Sequence, residues 1–194
     1  MVRIVTPRLE IVAAEPGIAR AEADDVQGWC APLGVAPPSS WPPPLLDAET
    51  LRWLAVEIAR TRGRGWYSWY VLRREPRALI GSAGFKGRPD QHGSVEIGYS
   101  LLRPFQGQGL GTELVRGLTG WAFRHGTVER VMAVTYPELA ASVRVLEKNG
   151  FAPAGRAPLP GAIRLELRRA VHEQRRASSR GQTPQIPGSD PRSC

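Results

Sequence analysis

The apolar positions change period several times along the chain, and each change marks an element. Residues 6–13 alternate well enough for a first strand. Residues 17–30 have helical spacing that stops near Gly28 or Trp29. The stretch 31–44 holds Pro32, Pro37, Pro38 and the run Trp41-Pro42-Pro43-Pro44, so it reads as a loop: proline lacks the N–H that helix and sheet both need. Asp47 stands as an N-cap before Leu51, Leu54 and Ile58, the stripe of a second helix that Gly63 and Gly65 end. Residues 66–72 alternate aromatic and aliphatic side chains as a strand, Glu75-Pro76 turns, and 78–85 returns as another. After a polar loop at 86–93, residues 94–101 form a further strand. A third helix follows with Leu110, Leu114, Leu118 and Trp121 on one side and runs to about His125. Then come a short buried strand at 130–135, a helix with Pro137 near its first turn and Leu139, Val143 and Leu146 as its stripe, a stop at Asn149-Gly150, and strands at 151–154 and 162–167. No repeat is visible.

Between the strand at 94–101 and the third helix lies Gln106-Gly107-Gln108-Gly109-Leu110-Gly111. Strand, glycine loop, helix start is one way for a backbone to hold a phosphate. The first amides of a helix have no internal partner and carry the positive end of the dipole. Glycine allows close approach and positive φ. By itself such a loop is compatible with a plain tight turn as well. Two specific phosphate motifs are excluded. A P-loop ends in Gly-Lys-Ser/Thr, whereas Gly111 is followed directly by Thr112. The dinucleotide fingerprint needs G-x-G-x-x-G at an early strand-to-helix turn, and both the spacing and the position past mid-chain differ.

Composition narrows the class. A chain of 194 residues with 42% hydrophobic content fits one globular domain with a real core. No segment is apolar and long enough to span a membrane, and the first residues lack the apolar core of a signal peptide, so a cytoplasmic location is expected. Cys30 and Cys194 are too far apart to suggest a disulfide framework or metal cluster, and no metal is expected. The net charge is +8, and among the 26 basic residues only Lys86 and Lys148 are lysine. The arginines form no stripe interleaved with aromatics, so no nucleic acid is expected as a partner, and no membrane. Residues 170–194, rich in Arg, Ser, Gln and Pro with few apolar anchors, read as a disordered basic tail following a domain at 1–169.

In this order the elements resemble the GNAT superfamily of acetyl-CoA-dependent N-acetyltransferases, from about Thr6 to Arg168, and most of all the ribosomal-protein N-terminal acetyltransferase branch. Thr6-Pro7-Arg8-Leu9 is similar to the usual entry to the first strand, Gly93-Ser-Val-Glu-Ile-Gly-Tyr-Ser-Leu101 to the fourth strand, and Ala141-Ser-Val-Arg-Val-Leu-Glu-Lys-Asn-Gly-Phe151 to the late helix-to-strand signature. Gln106 to Gly111 satisfies the family's Q/R-x-x-G-x-G/A pattern at each fixed position.

The resemblance implies an α/β (α+β) GNAT fold: a mixed, mostly antiparallel sheet of about six to seven strands, splayed between the fourth and fifth, with about four helices. It implies acetyl-CoA as co-substrate, with its pyrophosphate on the amides of Gln106, Gly107, Gln108, Gly109, Leu110, Gly111 and Thr112, and its pantetheine arm along the backbone of Tyr99, Ser100, Leu101 and Leu102. Glu96 matches the position where relatives carry the base, and Ser142 the hydroxyl near the departing sulfur. Glu96 is alternatively a solvated strand-face glutamate, or one that only binds the substrate amine, and Ser142 a helix serine bonded to its own backbone. Trp29 and Trp41, flanking the proline-rich segment, are candidates with Glu96 for the acceptor pocket. Relatives often read Pro-x-Asn-x-x-Ser where this chain has Pro137-Glu138-Leu139-Ala140-Ala141-Ser142, so the asparagine that usually touches the cofactor arm is Leu139 here. The expected reaction is acetyl transfer to a primary amine, a small molecule or a protein N-terminus, by direct attack in a ternary complex. The alternative is a non-catalytic acyl-CoA-binding module. A monomer or homodimer is expected.

Overall fold

The computed structural model describes residues 1–44, 46–61 and 65–180. Eight strands form one sheet in the order β1-β2-β3-β4-β5-β6-β8-β7. They are β1 (Arg3–Val5), β2 (Leu9–Ala13), β3 (Ser68–Arg73), β4 (Ala78–Phe85), β5 (Ser94–Leu101), β6 (Arg130–Thr135), β7 (Ala152–Arg156) and β8 (Ile163–Arg168). Five α-helices are present among the described residues: α1 (Pro16–Ala23), α2 (Ala48–Thr61), α3 (Leu110–Ala122), α4 (Ala140–Lys148) and α5 (Arg169–Arg180). All neighbouring strands pair antiparallel except β5 and β6.

The strand count exceeds six to seven because the expected first strand is half of a hairpin. Thr6, Pro7 and Arg8 form its turn, with the Thr6 N–H donating to the Leu9 carbonyl at 2.9 Å, and β1 pairs back on β2. The family's fourth and fifth strands are therefore β5 and β6. The helix expected over 17–30 stops at Ala23. Asp25 takes a left-handed φ of 52°, and the N–H of Val26 and of Asp25 donate to Ala21 and Glu22, a Schellman-type stop. Only a single 3-10 turn, Ala31–Leu33, follows before the proline-rich loop. Asp47 does cap α2, accepting from the Thr50 N–H at 2.8 Å; Gly63, one of the two expected stops, lies outside the described residues. Pro137 precedes α4 rather than opening it, and Leu139 is its N-cap. Residues 170–180, expected at the start of a disordered tail, belong to α5; the remainder of that expectation falls outside the described residues.

The two faces of the sheet are covered differently. Neighbours Ile11 and Val12 point to opposite sides, as in any strand. Ile11 meets Gly117 of α3. Tyr70, the cross-strand partner of Val12, donates its hydroxyl proton to Glu22 of α1. So α3 packs on one face with α4 beside it, and α1 with α2 on the other. Leu114, Val115, Leu118 and Trp121 of α3 are buried, together with Leu9, Ile11, Ile80 and Leu167.

Candidate active site

β5 and β6 are paired only at Ser94–Arg130, Val95–Val131 and Glu96–Met132, although β5 continues to Leu101 and β6 to Thr135. The strands therefore part after Glu96 and leave a gap. The β5 backbone divides by parity. Lys86 N–H donates to Glu96 O and Leu102 N–H to Ile80 O, both at 2.9 Å, so even-numbered residues bond β4. Ile97, Tyr99 and Leu101 turn their peptide groups into the gap. Of the four residues expected to line the pantetheine arm, Tyr99 and Leu101 have that orientation, whereas Ser100 and Leu102 are committed to β4. The Leu101 carbonyl accepts from the Gln106 side-chain amide at 2.7 Å.

The glycine loop closes the wide end. Gly107 and Gly109 have φ of 73° and 76°, and Gly109 is the N-cap of α3. The first backbone bond of the helix runs from Glu113 N–H to the Gly109 carbonyl at 3.2 Å. Within the described residues, nothing accepts from the N–H groups of Gly107, Gln108, Gly109, Leu110, Gly111 or Thr112, whereas the Gln106 N–H is bonded to Arg103 O. Six consecutive free donors at a helix start are the chemistry of an anion site. The side chains of Gln106 and Gln108 (to Pro104 O at 2.8 Å) instead hold the loop's own backbone. Asn149 ties α4 to this helix through the Thr112 carbonyl at 3.2 Å.

Near the narrow end, alternation along β5 separates the candidate groups. Glu96, Gly98 and Ser100 point to the α1/α2 face, Tyr99 to the α3/α4 face. The Glu96 carboxylate is ion-paired with the Lys86 ammonium, its cross-strand neighbour. Beside it Gly98 is exposed, with nothing within 4 Å of where a Cβ would stand, so the face next to Glu96 is open. On the other face the Tyr99 hydroxyl lies 3.2 Å from the Ser142 hydroxyl and 3.3 Å from the Ser142 carbonyl. Burial pushes the Tyr99 phenol up, and the bond to Ser142 offsets only part of that, so it stays protonated. From the sequence, Tyr99 has a backbone role alone. Its partner is 43 residues away, and no local spacing signals that.

Trp29 and Trp41 meet each other, with ring centroids 5.5 Å apart, and both lie near Tyr70. Their focus is Glu22, which accepts from Trp41 Nε1 at 2.9 Å and from the Tyr70 hydroxyl at 2.6 Å. Burial pushes the Glu22 carboxyl up, against these two bonds. Glu96 is not part of this cluster. Tyr70 pairs across to Ser82 and Ser82 to Ser100, placing the cluster on the same face as Glu96 but two strands and four residues away. Sequence reasoning missed Glu22, Tyr70 and Lys86. Leu139 is exposed. Among the described residues, no group of His, Cys, Asp and Glu could hold a metal ion.

The acetyltransferase (GNAT) domain family matches residues 16–152. The chain belongs to the GNAT acetyltransferase family. This acetyltransferase is 28% identical over 152 residues to the uncharacterized N-acetyltransferase YjdG of Bacillus subtilis (strain 168), covering 78% of this chain and 90% of that one. Its fold is shared with RimL, a ribosomal L7/L12 alpha-N-protein acetyltransferase solved with coenzyme A, at 22% identity and a TM-score of 0.62 over 86% of this chain and 98% of that one. A ribosomal-protein-S5-alanine acetyltransferase from Vibrio fischeri shares the fold too, at 18% identity and a TM-score of 0.61 over 87% and 97% of the two chains. The enzyme is an N-acetyltransferase. No helix among the described residues is long and apolar enough to cross a membrane.

Proposed function

We propose that acetyl-CoA lies with its pyrophosphate on the 107–112 amides and its pantetheine arm along the gap edge of β5, and that the acetyl group passes directly to a primary amine in a ternary complex. The observation that carries this reading is the run of six unbonded amides at the mouth of a gap whose edge peptides are also turned outward. The amine nitrogen attacks the thioester carbonyl, and the carbon–sulfur bond then breaks. Glu96, on the open face, accepts the ammonium proton directly or through water. Ser142, on the opposite face, donates to the thiolate, and Tyr99 orients the Ser142 hydroxyl. Lys86 holds Glu96 in place until the amine arrives and competes for it.

The acceptor cleft lies on the α1/α2 face. Its floor is Gly98 and Ser100, with Ser82 and Ser68 in the next rows, and Trp41 stands over its far end, anchored on Glu22. A protein N-terminus or a small amine fits such an opening. The ribosomal-protein acetyltransferases that share the fold favour the N-terminus, and short peptides are the first acceptors to test. The experiment is a thermal shift with acetyl-CoA followed by thiol release against peptides and small amines. A shift with release is expected. A shift without release from any acceptor would indicate a binding module, and no shift would overturn the donor site.

A further inference from the structure

Glu113 poses an electrostatic problem for this donor site. It lies in the first turn of α3, one turn from the amides that would hold a pyrophosphate. A like charge so close to a bound anion repels it unless something compensates that charge, because the separation is within a Debye length, about 8–10 Å. Arg8, in the β1–β2 turn and 105 residues away in sequence, supplies that compensation. Its backbone N–H donates to Glu113 Oε1 at 2.8 Å and its Nε to Oε2 at 2.7 Å. Its Nη1 donates to the Gln108 carbonyl, inside the glycine loop, at 2.9 Å. Thr6 Oγ1 adds a bond to Glu113 Oε1 at 2.6 Å, and Arg74 pins the same turn through the Thr6 and Pro7 carbonyls at 3.1 Å. Although burial alone would raise it, the Glu113 carboxyl is held low by the bonds from Thr6 and Arg8, so it is a charged group at neutral pH. The remaining guanidinium nitrogen of Arg8, Nη2, makes no hydrogen bond among the described residues. It lies 3.5 Å from where a Cβ on Gly109 would stand. Its side chain is half exposed.

We propose that Arg8 is part of the donor-binding site: it cancels the Glu113 carboxylate, fixes the loop through Gln108, and presents Nη2 as a positive charge to the pyrophosphate. This rests on the reading that the 107–112 amides bind that pyrophosphate. Glu113 is then a built-in brake on affinity that Arg8 releases.

The test is titration calorimetry of coenzyme A on the full chain, with Arg8→Gln, Glu113→Gln and the double variant. Losing a charge-assisted contact at an anion should weaken coenzyme A about tenfold in Arg8→Gln. The double variant should regain several-fold of that, since the uncompensated carboxylate is gone, and Glu113→Gln alone should bind at least as tightly as the parent. Transfer from S-acetylpantetheine, which has no pyrophosphate, should keep kcat/KM within about twofold in Arg8→Gln. Parent-like affinity in Arg8→Gln, or an equal loss with both donors, would overturn the proposal. If Arg8→Gln does not fold, weaker coenzyme A binding by Glu113→Gln would overturn it. A parent protein that binds no coenzyme A overturns the loop reading itself, which separates the two failures.

Discussion

Glu96 and Ser142 approach the gap from opposite faces of the same sheet, because Glu96 and Tyr99 differ in parity along β5 and Tyr99 is the residue that meets Ser142. In the proposed reaction, a base and an acid placed so can act on the two ends of one collapsing intermediate without meeting each other. Glu96→Gln keeps the shape and removes the proton acceptor, so kcat should fall by about 10²-fold or more while coenzyme A affinity stays unchanged. Steady-state rates beside calorimetry would check this, and an unchanged kcat would assign the proton to water or another group. Tyr99→Phe should cost less than Ser142→Ala, since the phenol acts through the serine; the reverse order would make Tyr99 the donor. At this scale Glu96, Ser142 and the glycines stand out as candidates in the sequence because each sits in a local motif. Tyr99 and Lys86 were not legible as partners. Their contacts arise from register and from a helix that arrives 43 residues later.

Among the elements, the glycine loop with α3 and the α1–proline-loop pair show what local pattern can and cannot carry. α3 was legible because its loop, cap and stripe are contiguous. Gly109 at φ 76° cannot be replaced by a β-branched residue without strain at the proposed donor site, so Gly109→Val should lose coenzyme A binding in calorimetry while the core survives. The α1 end was misjudged because its stop depends on Asp25 adopting a left-handed φ, which no glycine announces. The β1–β2 hairpin was hidden because Thr6-Pro7-Arg8 sits inside an alternating run. Glu22 had no signal either, since its partners are 19 and 48 residues away. Its raised carboxyl has a consequence for stability. A group with a higher pKa folded than unfolded stabilises fully below the unfolded value and loses that contribution as pH rises through the folded one. The parent should therefore lose Tm relative to Glu22→Gln as pH climbs above the ordinary 4.5. A pH-independent difference would mean Glu22 does not titrate in the fold. Trp41→Ala, which removes the indole that Glu22 anchors, should raise the acceptor KM and leave coenzyme A affinity intact; an unchanged KM would take Trp41 out of the acceptor cleft.

For the molecule as a whole, the chain closes on itself through α5, the element least visible in the sequence. The helix is strongly polar, so a search for apolar anchors passes over it. It is fastened instead by Arg169, whose guanidinium donates to the carbonyls of Phe123 at 2.9 Å, His125 at 2.8 Å and Val128 at 3.0 Å. These acceptors lie at the end of α3 and in the turn leading to β6, where unpaired carbonyls and the negative pole of the helix favour a cation. Phe123 also faces the guanidinium at 5.4 Å and the His172 ring at 4.8 Å. One side chain thus joins the C-terminal helix to the helix that begins at the glycine loop. Arg169→Ala would leave several half-buried carbonyls without a donor, so it should cost about 1–3 kcal/mol and lower Tm by several degrees. His172 adds an acid limit to the same joint. Burial holds its imidazole below the ordinary 6.5, and its Nε2 is buried without a hydrogen-bond partner among the described residues, so the neutral ring is the one that fits. A group with a depressed folded pKa contributes stability above its unfolded pKa and loses it as pH falls. Parent Tm should therefore drop below pH 6.5 more steeply than that of His172→Phe. Parallel melting curves for the two proteins would show that α5 does not rest on a neutral histidine.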